Sequence, residues 1–455
     1  MHAAPVVPKR RILPALLAAA VFLAVLLAVH GWVRSVPFDT ETVHRFILPF
    51  RFTPGARDLG YVLTESLEWN ITRQFYSLSF LLDYILWGTD AAGYHVTDIL
   101  LTLVCAVLAW RLAADRLGKA TAWIAVTLWL AHASQGWSMF VFTGRNDRIM
   151  LLFFLAALGL LDRGMEGGRR GPLTASVAVF ALGAFAKEAI LSLAPVLFLW
   201  SALAAGEGVR GAFRRRKGYW AAIACVCLAY VAARMLLGMA NPDDVELAPP
   251  SVWLLGTGVL YSMLVPWGGL LSPTLSAAFG LVPLGAAPFL RFLPRGTRFG
   301  AAAVVISLLP IPLFWVQSSF AWIPTLWLSL AVASAITALS AGLGLTGWKL
   351  WPFPVLLLVL LGVWGHGAGL DRAERYLTMG AAVELVERDG DRFSIVPALE
   401  RLPEFREMMS GQEEGEAMRK TCALISALVS IRFDTEDVVL TGSGGEVLEC
   451  APRWR

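Results

Sequence analysis

Ionisable residues interrupt the apolar runs of this sequence in one recurrent setting. Asp39 and Glu41 follow the first run, Arg73, Asp83 and His95 precede the second, and His132, Arg145 and Asp147 separate the third from the fourth. Lys187 and Glu188 divide the fifth from the sixth, and Arg234 stands near the end of the seventh. Carboxylates can take a proton, while guanidinium, ammonium and imidazole groups can hold an anion. Charge at the end of an apolar segment is costly unless paired or wet, so a set gathered at one membrane face is a candidate site by default. Each residue also has a structural use open to it. Asp39 and Glu41 could solvate a loop, Lys187 and Glu188 could mark where two helices reach water, and Arg145 and Asp147 are spaced to pair. His95 and His132 could bond backbone at helix ends, and Arg234 could snorkel.

The elements that must position these groups are apolar helices. Of 455 residues 57% are hydrophobic and only 16% charged, which excludes an ordinary soluble protein and a disordered chain. Windows of about 20 apolar residues suit a bilayer. The first, Ile12 to Val33, follows Lys9, Arg10 and Arg11 and reads as a retained signal anchor with its N-terminus in the cytoplasm. Ten more fall near 95–114, 120–137, 147–162, 172–186, 188–204, 218–238, 274–292, 299–318, 324–343 and 352–369, giving about eleven spans. Basic clusters at Arg111/Arg116/Lys119, Arg163/Arg169/Arg170, Arg210 to Lys217 and Arg291/Arg295/Arg298 then share the cytoplasmic side. Counting 251–271 as a span would export the last of these, so it reads as an interfacial or re-entrant helix. Residues 34–93 form an outer loop in which SLSFLLDYILWG is an amphipathic surface helix.

Charge separates the chain into two parts. Residues 371–455 hold 17 acidic and 11 basic groups, a net of −6, against +10 for the rest. The expected organisation is therefore a basic transmembrane domain, 1–370, and a small mixed α/β soluble domain, 371–455, on the outer side. Short basic loops explain the body better than nucleic-acid binding does, so membrane lipids are the expected partners and nucleic acid is not. Cys105, Cys225 and Cys227 fall in apolar segments and pack as small hydrophobes, whereas Cys422 and Cys450 could bond to each other if the tail lies outside the cytoplasm. No His-supported ligand spacing marks a metal site.

Three stretches carry a family resemblance: RQFYSLSFLLDYILWGTDAAGYHVTDILL, LAHASQGWSMFVFTGRNDRIMLLFFLAALGLL and GAFAKEAILSLAPVLF. Their ordered succession resembles the core of GT-C superfamily polytopic glycosyltransferases, above all the transmembrane and tetratricopeptide-containing O-mannosyltransferases and their bacterial relatives. The resemblance covers roughly residues 30–345 and is strongest from Arg73 to Trp200. Asp39 and Glu41 stand where the family has an acidic pair, and Arg73, Asp83, Tyr94 and His95 match its R-P-L, D-Y, G-Y-H series. His132, Gly144, Arg145 and Asp147 match the frame of H-P-x-x-x-E followed by G-R-x-D, and Lys187 and Glu188 match the K-E pair. There are departures. Gln74 replaces a proline, Asp98 a customary Asn, Ala133 the second proline and Trp137 the glutamate, Ser319 stands where an arginine is expected, and the tetratricopeptide repeats are absent.

The resemblance implies an all-α GT-C-like membrane fold and transfer of a sugar from a polyprenyl-phosphate carrier to an envelope acceptor, with inversion. In that reading Asp39, supported by Glu41, takes the acceptor proton; Arg145, Lys187 and Arg234 hold the leaving phosphate; His95 and His132 orient loop or phosphate. Arg73, Asp147 and Glu188 complete the expected substrate-binding set. Some GT-C relatives use a divalent cation and others do not; no metal is assigned here. Two other classes remain in play: a degenerate GT-C scaffold that binds lipid-linked sugar or assists envelope assembly, favoured by the missing glutamate and arginine, and a transporter of lipid-linked sugar, which would carry paired half-sequence repeats. The expected setting is a bacterial inner membrane with a periplasmic tail. All of it rests on the scattered ionisable residues meeting in one chamber open to the outer leaflet.

Overall fold

The computed structural model describes residues 12–39, 42–53, 55–68, 73–140, 142–236, 292–308, 322–345, 351–389, 392–405, 416–433 and 438–441, with 349, 435 and 448 besides. These residues are mostly helical. The principal helices are α1 (Ile12–His30), α2 (Gln74–Trp87), α3 (Ala91–Leu117), α4 (Lys119–Ala131), α5 (Ala133–Phe140), α6 (Arg145–Gly167), α7 (Arg170–Gly183), α8 (Lys217–Leu236), α9 (Arg295–Leu308), α10 (Trp322–Gly342), α11 (Pro352–Glu384) and α12 (Glu416–Phe433). Four of the described helical segments are long and apolar enough to cross a membrane: Leu13–Ser35, Ala91–Leu117, Lys217–Leu236 and Trp322–Gly342. A fifth arises if Glu188–Ala204 and Gly208–Arg215, which meet at 119°, count as one bent span.

The remaining apolar windows differ from simple spans for local reasons. The window at 120–137 is cut at His132, whose extended backbone (ψ 141°) ends α4 and whose ring nitrogen receives the Ser134 N–H that opens α5. The window at 147–162 lies inside the 23-residue α6, whose two ends carry Arg145, Asp147 and Arg148, and Asp162, Arg163 and Glu166. The window at 352–369 is the first half of α11, which continues unbroken through the expected boundary at 370. Of the window at 299–318 only the part to Leu308 is described, and 251–271 and, but for Phe292, 274–292 lie outside the described residues.

Helices α3 and α6 run in parallel and set the scale of the bundle. Near their starts Arg145 meets Asp98, and near their ends Arg116 bonds Asp162 at 2.8 Å. Asp98 and Arg116 are 18 positions apart on α3, about 27 Å along the axis at 1.5 Å per residue, close to the thickness of a hydrocarbon core. Acidic and basic groups therefore collect at two levels separated by one bilayer. Between them, Trp129, Phe154, Trp200, Trp322 and Trp327 fill a buried apolar core.

A second core lies beyond the candidate-site end. Phe38, Phe46, Phe50, Phe80, Tyr94 and Phe142 share it with Met379, Val383, Phe393, Leu424 and Leu440 of the C-terminal part, so the tail packs on the 34–93 loop. Phe46 and Phe80 stack there at 4.5 Å. Helix α2, the amphipathic helix expected from SLSFLLDYILWG, buries Tyr76, Phe80 and Asp83 and exposes Leu82, Ile85 and Leu86. The described part of the tail contains strands as well as helices. Its strands β1 (Glu387–Asp389), β2 (Arg392–Ser394) and β3 (Val439–Thr441) form a sheet in that order, β1 antiparallel to β2 and β2 parallel to β3. The parallel pair needs a crossover, which α12 supplies. Cys422 on α12 is disulfide-bonded, Cys105, Cys225 and Cys227 are free, and Cys450 lies outside the described residues.

Helices α9 and α10 approach closely at Gly300, where a Cβ would come within 2.5 Å of the Trp327 carbonyl and 2.7 Å of the Ala331 nitrogen. Gly300→Val should therefore destabilise the bundle by about 1–3 kcal/mol through overpacking. Gly342→Ala, which meets nothing within 4 Å, should melt like the parent in a thermal scan in detergent.

Candidate active site

The charged residues singled out from the sequence form a chain of contacts at one end of the bundle. Arg145, the first residue of α6, is 0% exposed and donates from Nε to Asp98 Oδ1 (2.7 Å), from Nη1 to Asp83 Oδ2 (2.5 Å) and from Nη2 to the Tyr94 carbonyl (2.9 Å). Its guanidinium also lies 4.4 Å over the Phe80 ring. Arg148, one turn on and equally buried, pairs with Asp98 at 3.2 Å and donates to the Ser138 carbonyl. Two carboxylates thus face two guanidiniums, and the acidic residue at 98 balances the second arginine. Thr97 donates to Asp83 at 2.7 Å. Burial pushes the Asp83 carboxyl up from its ordinary range, against the pull of Arg145.

The Arg145–Asp147 ion pair left open by their spacing does not form. Residues two apart on a helix face opposite ways, so Arg145 turns towards α2 and α3 while Asp147 turns to Lys187, whose ammonium it receives at 2.8 and 2.9 Å. Glu188 then accepts from Arg73 at 2.9 Å. The pair joins the start of α2 to the turn after α7, where Phe75 N–H also donates to the Phe185 carbonyl (3.1 Å). Gln74 occupies the first position of α2, a place where proline is favoured in other sequences and where any residue without a needed N–H partner is tolerated.

Asp39 reaches this group from the first loop. It is 5% exposed and accepts from Thr42 N (2.9 Å) and Thr42 Oγ1 (3.0 Å), which caps the turn that follows, and from Phe142 N (3.0 Å) across 103 residues. His95 clamps the same two segments: its ring nitrogens lie 3.1 Å from the carbonyls of Val36 and Met139, and the ring stacks on Phe142 at 4.2 Å. Sequence reasoning gave His95 a part in orienting loop or phosphate, and the geometry is that of a loop clamp.

Not every expected residue joins the chain. His132 sits at the α4–α5 break, with Nδ1 receiving Ser134 N–H (3.2 Å), Ser134 Oγ at 3.0 Å and the Trp364 ring edge-on at 4.9 Å. Accepting at Nδ1 leaves its proton on Nε2. Arg234 is half-buried near the end of α8, and Glu41 and Ser319 lie outside the described residues. Arg148 was missed by sequence reasoning; its spacing of three from Arg145, on the same helix face, is the signal that could have found it. The two described cavities are lined by other residues, one around Arg34, Trp87 and Asp90 and one at the opposite end. Among the described residues no group of three or more His, Cys, Asp or Glu side chains could hold a metal ion.

Residues 79–236, about a third of the chain, match the family model described as Dolichyl-phosphate-mannose-protein mannosyltransferase. The resemblance to GT-C superfamily membrane glycosyltransferases read from the motifs is thereby shown. The match spans Asp83, His95, Asp98, Arg145, Arg148, Asp147 and the Lys187–Glu188 pair. Among solved structures the chain is similar to the crystal structure of ArnT from Cupriavidus metallidurans bound to undecaprenyl phosphate, at 11% identity and a TM-score of 0.44, over 91% of this chain and 75% of that one. No curated protein matches.

Removing Arg145 would leave Asp83 and Asp98 buried without their shared partner. Arg145→Met should therefore cost about 3–5 kcal/mol of stability, whereas Asp98→Asn, which keeps an oxygen for the Arg145 Nε–H, should cost clearly less. Denaturant melts of the two variants in the same detergent would check the order.

Proposed function

We propose that the protein is a membrane glycosyltransferase that moves a sugar from a polyprenyl-phosphate donor to an envelope glycan, lipid or protein acceptor on the periplasmic face of a bacterial inner membrane. The observation that carries the reading is the anchoring of Asp39, through Phe142 N–H, onto the family-matched segment that holds the Arg145 cluster. In the proposed reaction the acceptor hydroxyl attacks the anomeric carbon and gives its proton to the Asp39 carboxylate. The bond from that carbon to the phosphate oxygen breaks, and the phosphate leaves with the electron pair. The donors on Asp39 are a backbone N–H, a hydroxyl and a second N–H, which hold the carboxylate in place.

The leaving phosphate needs cations that can turn to it. Arg145 is fully committed to Asp83, Asp98 and the Tyr94 carbonyl, so its part in this reading is the framework. Lys187, Arg234 and Arg73 remain for the phosphate; the Arg73–Glu188 pair is the most open of the inner-network pairs, with side chains 24% and 33% exposed. Glu41 would support Asp39, and His95 and His132 would hold the loops. No step requires a divalent cation.

Three observations support the orientation. The tail packs on the loop that carries Asp39, the basic clusters lie about one bilayer thickness away, and the disulfide at Cys422 suits an oxidising compartment. In this reading 371–455 caps the outer face of the 1–370 domain.

A scaffold without catalysis is the second reading, favoured by the ion pairing of Arg145 and Lys187. Asp39→Asn separates the two. Asparagine keeps one acceptor oxygen and can cap the turn, although its amide cannot also receive Phe142 N–H; with folding and lipid binding checked in parallel, transfer of labelled sugar from polyprenyl phosphate in membrane vesicles should fall by about 10²–10⁴-fold. Undiminished transfer would remove Asp39 from the role of base; binding of the donor without transfer by the parent protein would favour the scaffold.

A further inference from the structure

The end of the bundle remote from Asp39 contains a cavity of about 520 Å³ between α3, α4, α9 and α10. Arg116, Lys119 and Arg295 line it, together with the hydroxyls of Thr121, Ser334 and Thr337. The three cations are not equivalent. Arg116 is bonded to Asp162 at 2.8 Å and to Glu166 at 3.0 Å, so its charge is answered. Lys119 and Arg295 have no ion pair among the described residues. Both side chains are exposed, and the Arg295 guanidinium lies against Gly206, where a Cβ would come within 2.6 Å of Nη1. A cavity bearing two unanswered positive charges attracts an anion.

Depth selects the kind of anion. Arg116 is in the last turn of α3, and α3 and α10 are both long and apolar enough to span. The cavity therefore sits where lipid headgroups meet the bundle, and Leu339 and Leu343 at the adjoining end of α10 stay exposed, each at 66%. A free phosphate has no use for such a wall; an acyl chain has. Helices α4 and α9 also begin in the cavity wall, and their first-turn N–H groups add to the positive field.

We infer that this cavity binds the phosphodiester of an anionic phospholipid from the leaflet on the basic side, with Lys119 and Arg295 on the phosphate and the acyl chains along the end of α10. The inference needs only that the basic end meets a membrane surface and is separate from the transferase reading, so failure here leaves Asp39 untouched.

The test is native mass spectrometry of the full-length protein, delipidated in detergent and titrated with phosphatidylglycerol, with phosphatidylcholine and inorganic phosphate as separate arms. Phosphatidylglycerol should be retained in preference to phosphatidylcholine, and inorganic phosphate should not displace it. Lys119→Gln and Arg295→Gln should each weaken retention about fivefold. Lys119→Arg should preserve it, which keeps the test valid if a charge-removing variant misfolds. Arg170→Gln removes an exposed charge from the same end outside the cavity and should change nothing. Equal retention of the two lipids, displacement by phosphate alone, or an equal loss in Arg170→Gln would each overturn the proposal.

Discussion

Four buried charges, Asp83, Asp98, Arg145 and Arg148, govern the geometry of the candidate site. In a low-dielectric interior an isolated ion is prohibitively costly, so each must be met by an opposite charge or a hydrogen bond at close range. Because the four come from α2, α3 and α6, meeting that demand fixes three helices against one another. The start of α6 is the element most constrained. With Arg145 held by three acceptors, the helix can rotate little, and Asp147 is carried to the far side where Lys187 waits. The position of the Lys187–Glu188 turn, and through it of Arg73, is thus a consequence of where Arg145 is buried.

An aromatic layer closes the cluster from the outside. Phe80, Tyr94 and Phe142 surround the Arg145 guanidinium and continue into Phe38, Phe46 and the apolar face of the C-terminal part. This arrangement excludes water from the ion cluster and strengthens its interactions. It also ties the tail to the site mechanically, since α11 passes from the membrane bundle into the outer layer without a break.

The sequence made the identities of most of these residues legible, because polar groups stand out against an apolar background and their order follows a recognisable succession. Partner choice was not legible. Spacing left a pair between Arg145 and Asp147 open, and nothing in it tells that Asp83 and Asp98, 62 and 47 residues upstream, converge on Arg145. Arg148 was overlooked for the same reason: without the fold it reads as one more arginine near a membrane face. Hydropathy also does not show where a side chain redirects the backbone. Hydropathy runs smoothly through 120–137, yet His132 caps a new helix there, a decision made by one ring nitrogen and one N–H.

The charge pairs of the site differ in how readily they can exchange a partner. Arg145 is wholly buried, and stripping it of a carboxylate exposes that carboxylate to a loss of about 3–5 kcal/mol. Arg73 and Glu188 are a quarter to a third exposed, in the range where an ion pair contributes no more than about 1 kcal/mol. Asp147 and Lys187 fall between, with side chains 10% and 11% exposed. The pairs thus form a gradient: an inner framework that does not yield, and outer pairs whose cations can turn to another anion at little cost, which is what the proposed phosphate carrier would need. In the proposed reading such outer pairs carry the recognition of the phosphate, because among the described residues of the inner network each cation already faces a carboxylate.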